Sequence, residues 1–379
     1  MSGPQVHFGA GKLSILPLLL RTHGARSVLV VSGKSAYLRS GIQPLLHSLS
    51  AGTRVHWFHY FTSNPTIEQV ADALAEIREK DCDAVVGLGG GTALDIGKAA
   101  ATLAAQHRGT LDCLLHQRRL EPRKCLLILV PTTAGTGSEV TSFSTIYVNQ
   151  LKHSLDDPAL LADHAIVDPD LTVGLPRRIA ASAALDTICQ TMESLWSVGS
   201  TESSLHNARE ALWLGLKYIR QFCVESEPES RAAMARAALL SGYAINVSRT
   251  TAPHAVSYAL TMLFGIPHGH SCALTLPGFM LYNANVSDSD VTDPRGVGWV
   301  KQRIQEAVEM LGVNTVEEGQ ARLVRLMAET GLEPNLSDLG LGEGDIERVV
   351  KFGVNQQRAR NNPRVVTTQG LREVLRLSL

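Results

Sequence analysis

The segment LDTICQTMESLW, Leu185 to Trp196, carries Asp186, Gln190 and Glu193 at i, i+4 and i+7, a spacing that stacks all three on one helix face. Two carboxylates and an amide aligned in this way form either a solvated stripe or one wall of a metal pocket. A second chemistry-bearing segment is VVGLGGGTALDIGKAAA, in which an apolar run meets Gly89, Gly90 and Gly91 and a helical pattern opens near Thr92. Residues without side chains let the backbone approach a pyrophosphate, and the unbonded N–H groups of a helix start favour negative charge there. The pattern is not GxGxxG, and no GK[ST] follows the glycines, which excludes a Walker loop. A third segment, PTTAGTGSEVT (131–141), follows another apolar run and sets Thr132, Thr133 and Ser138 among glycines. Its hydroxyls suit ribose or phosphate oxygens at the carboxyl edge of an open α/β sheet.

Such turns need a sheet to hold them. Short β-rich runs at 27–33, 54–60, 83–91, 125–133 and 165–169 alternate with helical patterns, which predicts a parallel sheet with helices on its faces. Between the second and third runs, Ile67, Val70, Leu74 and Ile77 recur at helical spacing, as a crossover helix requires. From GLPRRIAASAALDTI onward the β runs stop and long Ala/Leu-rich helical patterns take over, with Pro176 placed to open the first of them. The chain therefore divides near residue 175 into an α/β part, 1–175, and an all-α part, 176–379. A chain of 379 residues has the length of two domains, and the cleft between domains is the default place for a ligand.

Composition narrows the partners. With 35 basic and 36 acidic residues and a net charge of -1, nothing calls for nucleic acid or an anionic membrane, and a small-molecule substrate is expected. The basic stretch HQRRLEPRK (116–124) is short and has no aromatic residue, as in a solvated loop before a strand. The six cysteines contain no CxxC pair, which argues against a disulfide framework and favours a reducing, cytoplasmic setting. MSGPQVHFGAG lacks an apolar leader core, and no window reaches the roughly 18 apolar residues of a spanning helix.

Together with SNPT (63–66), AIVDP (165–169) and APHAVSYALTMLFGIPHGH (252–270), the two turns resemble the iron-containing (group III) alcohol dehydrogenase family. The resemblance runs from FGAGKL near the start to NNPR (361–364). Within the family, TTAPHAVSYALT, GIPHGH and ESLWSVGSTESS (193–204) are similar to the hydroxyethylphosphonate dehydrogenase, or phosphonoacetaldehyde reductase, branch. It implies a Rossmann-like N-terminal domain for NADP or NAD, a helical C-terminal domain of dehydroquinate synthase-like architecture, and a divalent metal, Fe(II) first and Zn(II) as the alternative. The implied reaction is hydride transfer between nicotinamide and an alcohol or aldehyde. A glycerol dehydrogenase-like polyol enzyme and a dehydroquinate synthase-like lyase are the competing activities, and homo-oligomers occur among such relatives.

By this resemblance Gly89, Gly90, Gly91 and Thr92 hold the pyrophosphate, Asp95 and Lys98 complete the motif, Thr132, Thr133 and Ser138 form the second cofactor loop, and Asn64 and Lys152 lie near the cofactor. Gly33 stands where NAD-preferring relatives keep an acid for the ribose 2'-hydroxyl, with Lys34 beside it, so NADP is expected to be accepted or preferred. The family's metal pattern is an Asp, a His four residues on, and two more His; here Asp186, His254 and His268 fill three places and Gln190 the fourth. Three roles are open to Gln190: coordination through its oxygen, binding of a metal-held water, or orientation of Asp186. Tyr258 replaces another family histidine, which leaves His270 as the candidate for proton handling beside water. Glu193 is read as a residue that caps or bridges helices in the core, with no catalytic role. For an anionic phosphonate substrate, Arg249 is the candidate clamp, with Thr250 and Thr251 as hydroxyl donors.

Overall fold

The computed structural model describes residues 3–49, 52–107, 109–116, 119–149, 151–354 and 356–379; Gln117 and Arg118 of the basic stretch lie outside them. The chain forms two compact units, Met1–Val173 and Gly174–Leu379.

The first unit is built on a six-stranded parallel sheet of β1 (Gln5–Phe8), β8 (His164–Val167), β5 (Leu126–Pro131), β4 (Ala84–Gly89), β2 (Ser27–Val31) and β3 (Arg54–Phe58), in that spatial order. β6 (Phe143–Val148) and β7 (Leu151–Asp156) form a separate antiparallel hairpin. β2 and β4 are buried along their whole length, as expected of central strands covered by helices on both faces. Ile67–Glu79 is helical and turns Ile67, Val70, Leu74 and Ile77 inward. Its start is fixed by a capping box: the Gln69 N–H donates to Thr66 Oγ1 (3.3 Å), and the Thr66 N–H donates to Gln69 Oε1 (3.1 Å). β4 and β5 pair in register from Ala84↔Leu126 to Gly89↔Pro131. The two glycine- and threonine-rich turns therefore leave one sheet edge side by side.

The second unit is helical. Its long helices include Arg177–Trp196, Glu202–Val224, Pro228–Ser248, Ala252–Phe264 and His268–Ala284. The helix Arg177–Trp196 is buried on nearly every side from Ala180 onward, including Asp186, Gln190, Glu193 and Ser194. A solvated stripe is thereby excluded, and these buried polar groups must find partners within the protein. Pro176 serves as the N-cap of this helix, which begins at Arg177. No helix among the described residues is long and apolar enough to cross a membrane.

Candidate metal centre and nucleotide turn

Three helices bring the donor groups of the second unit together. Asp186 lies in the middle of Arg177–Trp196, His254 in the first turn of Ala252–Phe264, and His268 at the first position of His268–Ala284. Asp186 Oδ1 is 3.2 Å from His254 Nε2 and 3.9 Å from His268 Nε2, and the two rings meet edge to face with centroids 5.3 Å apart. Cys272, one turn beyond His268, joins them: donor atoms of Asp186, His254, His268 and Cys272 all lie within 4.8 Å of one another.

The outer nitrogens of both rings are held. Glu193 Oε1 accepts from His254 Nδ1, and its Oε2 accepts from the Thr251 N–H and from Thr251 Oγ1. Ser257 Oγ lies 3.3 Å from His268 Nδ1 while donating to the His254 carbonyl, so it accepts from the Nδ1–H. Both imidazoles thus turn Nε2 toward Asp186, the arrangement that outer partners impose on metal-ligating histidines. Burial alone would lower the His254 pKa. The combined effects of Cys272, Glu193 and Asp186 outweigh it and hold the pKa well above the ordinary imidazole value. A buried pocket with a carboxylate, two oriented imidazoles and a thiol, in a field that favours positive charge, fits a divalent cation.

Gln190 stands beside this cluster. Its Nε2 donates to Asp186 Oδ2 (3.0 Å) and its Oε1 accepts from Ser241 Oγ (2.6 Å). The reverse amide orientation would set two acceptor oxygens against each other. Of the three roles open to Gln190, the geometry matches orientation of Asp186, because the amide presents its nitrogen to the carboxylate and its oxygen to Ser241.

His270 departs from the expected proton-handling role. It is fully buried, Nε2 donates to the Glu333 carbonyl (2.7 Å), and burial lowers its pKa. Thr251 is a core hydroxyl that accepts from Trp196 Nε1 (3.2 Å) and donates to Glu193. Thr250 is buried and its carbonyl accepts from Asn361 Nδ2. Arg249, half-buried, caps the helix Pro228–Ser248 at φ 61 and ψ 169. That backbone region is almost reserved for glycine and costs of order 1–3 kcal/mol for another residue.

In the first unit the glycine turn is a tight cradle. A Cβ on Gly89, whose φ is +152, would lie 2.8 Å from Ala93 Cβ, and one on Gly91 would lie 2.8 Å from Thr136 Cγ2. Thr133 of the second turn faces Gly90, its Oγ1 3.6 Å from where a Cβ would stand, and the Thr132 N–H donates to the Gly89 carbonyl (2.9 Å). Thr92 belongs to the first turn of the helix Gly91–Leu103. Side-chain-free backbone at a helix start beside threonine hydroxyls fits a dinucleotide pyrophosphate.

Asp95 and Ser138 are brackets. Ser138 Oγ donates to Asp95 Oδ1 (2.6 Å), and Asp95 Oδ2 accepts the Thr145 N–H (2.9 Å). The Ser138 hydroxyl expected on the cofactor is thereby spent on tying the two turns together. The fully buried Lys98 reinforces the joint through Asp95, Thr141 Oγ1 and the Ser138 and Phe143 carbonyls. Asn64 has φ 67, and Lys152 pairs with Tyr147 in the β6–β7 hairpin. Gly33 caps the short helix Lys34–Arg39, and a Cβ there would meet nothing within 4 Å.

Glu139, next to Ser138, is buried, and burial pushes its carboxyl from 4.5 up to about 7 against the opposing effects of a backbone hydrogen bond and Lys98. A raised folded-state pKa means that the stability of the neutral form is complete below pH 4.5 and is lost as pH rises through about 7. Glu139→Gln keeps the shape without the charge. Chemical denaturation should show the wild type losing stability relative to this variant between pH 4.5 and 8, by on the order of 3 kcal/mol in all. Parallel pH profiles would contradict the assignment.

The comparisons agree with this geometry. Residues 3–169 match the model for iron-containing alcohol dehydrogenase, and residues 180–379 match that for the Fe-containing alcohol dehydrogenase family, C-terminal. Phosphonoacetaldehyde reductase of Streptomyces viridochromogenes is 34% identical, covering 82% of this chain and 80% of that protein. Long-chain-alcohol dehydrogenase 1 of Geobacillus thermodenitrificans is 32% identical over 94% of this chain and 90% of its own. Among solved structures, sulfoacetaldehyde reductase of Bifidobacterium kashiwanohense in complex with NAD+ superimposes with a TM-score of 0.87 at 29% identity, covering 100% of this chain and 97% of that one. Two family matches that divide almost the whole chain between them, over a nucleotide turn and a metal-competent donor cluster, make this oxidoreductase a member of the iron-containing alcohol dehydrogenase family.

Proposed function

We propose that the chain is a divalent-metal-dependent, NAD(P)H-linked reductase of a small aldehyde that carries an anionic head group, with phosphonoacetaldehyde as the leading candidate. The observation that carries the metal dependence is the convergence of Asp186, His254 and His268. The substrate class is supported by two relatives found in separate comparisons, both named for aldehydes bearing an acidic group, and by the strained backbone at Arg249.

When bound, the divalent ion withdraws electron density from the carbonyl oxygen and the reduced nicotinamide supplies the hydride. The chain's own residues do the placing. Asp186, His254 and His268 hold the ion, Glu193 and Ser257 fix the two imidazoles, and Gln190, backed by Ser241, fixes the second carboxylate oxygen of Asp186. His268 retains a side-chain exposure of 31% against 4% for Asp186, so the substrate approaches from the His268 side. His270 is committed to the Glu333 carbonyl, and the product oxygen takes its proton from water. The backbone of Gly89, Gly90 and Gly91 receives the pyrophosphate, with Thr132 and Thr133 beside it.

Arg249 holds the anionic head group. Arg249→Ala should raise KM for phosphonoacetaldehyde at least tenfold, the usual scale of a charge-assisted contact, and leave KM for propanal within about twofold. Arg249→Gly should also relieve the backbone, so its melting temperature should equal or exceed that of Arg249→Ala. Equal effects on charged and neutral aldehydes would remove the clamp.

Coenzyme choice rests on Gly33 and Lys34. An uncharged position beside a cation accepts the 2'-phosphate, so NADPH should be favoured over NADH. A Cβ at Gly33 meets nothing within 4 Å, and Gly33→Asp should shift the kcat/KM ratio toward NADH by about tenfold or more through repulsion of the phosphate. Equal use of the two coenzymes by the wild type, with no response to Gly33→Asp, would refute this assignment.

A further inference from the structure

We infer that the Cys272 thiolate is a fourth protein ligand of the metal, completing a carboxylate, imidazole, imidazole, thiolate set in which the amide of Gln190 takes no part. The inference rests on the proposed metal centre and specifies its chemistry. Cys272 lies four residues after His268 in the helix His268–Ala284, and residues at that spacing share a face. Its Sγ is 4.0 Å from both ring nitrogens of His268, and it belongs to the one group of donors that converges within 4.8 Å among the described residues. A Zn–S bond of about 2.3 Å and a Zn–N bond of about 2.0–2.1 Å together reach about 4.4 Å, so one ion can bridge the 4.0 Å between Cys272 Sγ and His268 Nε2.

The other polar group on hand is already used. Gln190 offers one oxygen, and Ser241 donates to it at 2.6 Å, while its nitrogen donates to Asp186. A neutral amide is also the weaker donor: a thiolate brings charge and softness, and raises affinity for Zn(II) and Co(II) above what carboxylate and imidazole provide. Cys272 is fully buried, so this thiol is shielded from bulk oxidants and needs only to lose its proton to solvent as the ion enters. Coordination neutralises that charge within the pocket.

The direct test is X-ray absorption at the zinc edge on Zn(II)-loaded wild-type protein, with optical spectra of the Co(II)-loaded form. One sulfur at about 2.3 Å among nitrogen and oxygen neighbours at about 2.0–2.1 Å, with a near-ultraviolet thiolate-to-Co(II) band, is expected. Cys272→Ser should abolish both signals and weaken Zn(II) binding about 100-fold, since even outer partners of metal ligands are worth 10–100-fold. Cys189→Ser, at another buried cysteine, should retain them. The wild-type absorption spectrum stands by itself should Cys272→Ser fail to fold. A bound ion with nitrogen and oxygen neighbours only overturns the thiolate and leaves the metal centre in place. Sulfur signals that persist in Cys272→Ser and vanish in Cys189→Ser overturn the assignment to Cys272. A wild type that retains no ion overturns both readings.

Discussion

Gly269→Ala is expected to destroy the metal centre without touching a donor atom. A Cβ at this position would lie 1.9 Å from the Ser182 carbonyl oxygen and 2.8 Å from Asp186 Cβ. The first contact is with backbone, so no rotamer change relieves it, and the helices Arg177–Trp196 and His268–Ala284 must separate. His268 precedes Gly269 directly, Asp186 lies one turn beyond Ser182, and the His270 N–H donates to Ser182 Oγ across the same crossing. A separation of even about 1 Å would pull His268 Nε2 out of reach of an ion on Asp186, and displacements of that size cost about 100-fold. The expected result is at least a 100-fold loss in metal affinity and in kcat/KM. Overpacking should also cost about 1–3 kcal/mol of stability. Metal titration and thermal unfolding of the same preparation measure both. An unchanged affinity would mean that the two helices do not cross as closely as described.

Asp186→Asn is expected to have the largest effect on turnover at the smallest cost in packing. The side chain keeps its size in a buried site, and the change removes the single carboxylate shared by His254 Nε2, His268 Nε2 and Gln190 Nε2. An asparagine must offer its oxygen to the Gln190 amide, which leaves its NH2 facing the imidazoles, where a cation is repelled. We expect metal content near zero after dialysis, kcat/KM reduced by a factor on the order of 10³, and a retained circular dichroism spectrum. Glu193→Gln in the same assay should fall between this variant and the wild type, by about 10–100-fold, because it loosens His254 without removing a donor. An Asp186→Asn protein that keeps its metal and its rate would refute the role of this carboxylate.

Much of the scaffold is legible in the sequence because it follows local periodicity. The β-rich runs ending in glycine or Pro-Thr-Thr, and the apolar spacing of Ile67, Val70, Leu74 and Ile77, report the sheet and its crossover helix. The strands end earlier than the apolar runs: β4 stops at Gly89, because Gly90 already caps the following helix. The helix carrying Asp186 is legible, but whether its polar face meets solvent is not. Burial of that face is decided by helices more than 50 residues away, through Ser241, Thr251 and His254.

Two residues stand elsewhere than expected, for different reasons. His268 and His270 flank Gly269 in one motif, and on a helix residues at i and i+2 do not face each other. One points to Asp186 and the other to the Glu333 carbonyl. The same rule, applied at i+4, would have drawn attention to Cys272. Ser138 carries a hydroxyl in a cofactor-like turn, but its partner Asp95 lies 43 residues earlier, and no local pattern reveals that bond. Glu193 reads from sequence as a bridge between helices, and its contacts with Thr251 agree; its hold on His254 adds a role that sequence spacing does not show.

The central claim is that one carboxylate and two imidazoles share a divalent ion. Anomalous diffraction from crystals of the protein loaded anaerobically with Fe(II) or Zn(II), collected on both sides of the metal edge, tests it most directly. The account predicts a single strong peak within about 2.0–2.3 Å of Asp186 Oδ1, His254 Nε2 and His268 Nε2. A metal-loaded crystal with no peak among these three atoms, or with its peak at another set of side chains, would contradict it.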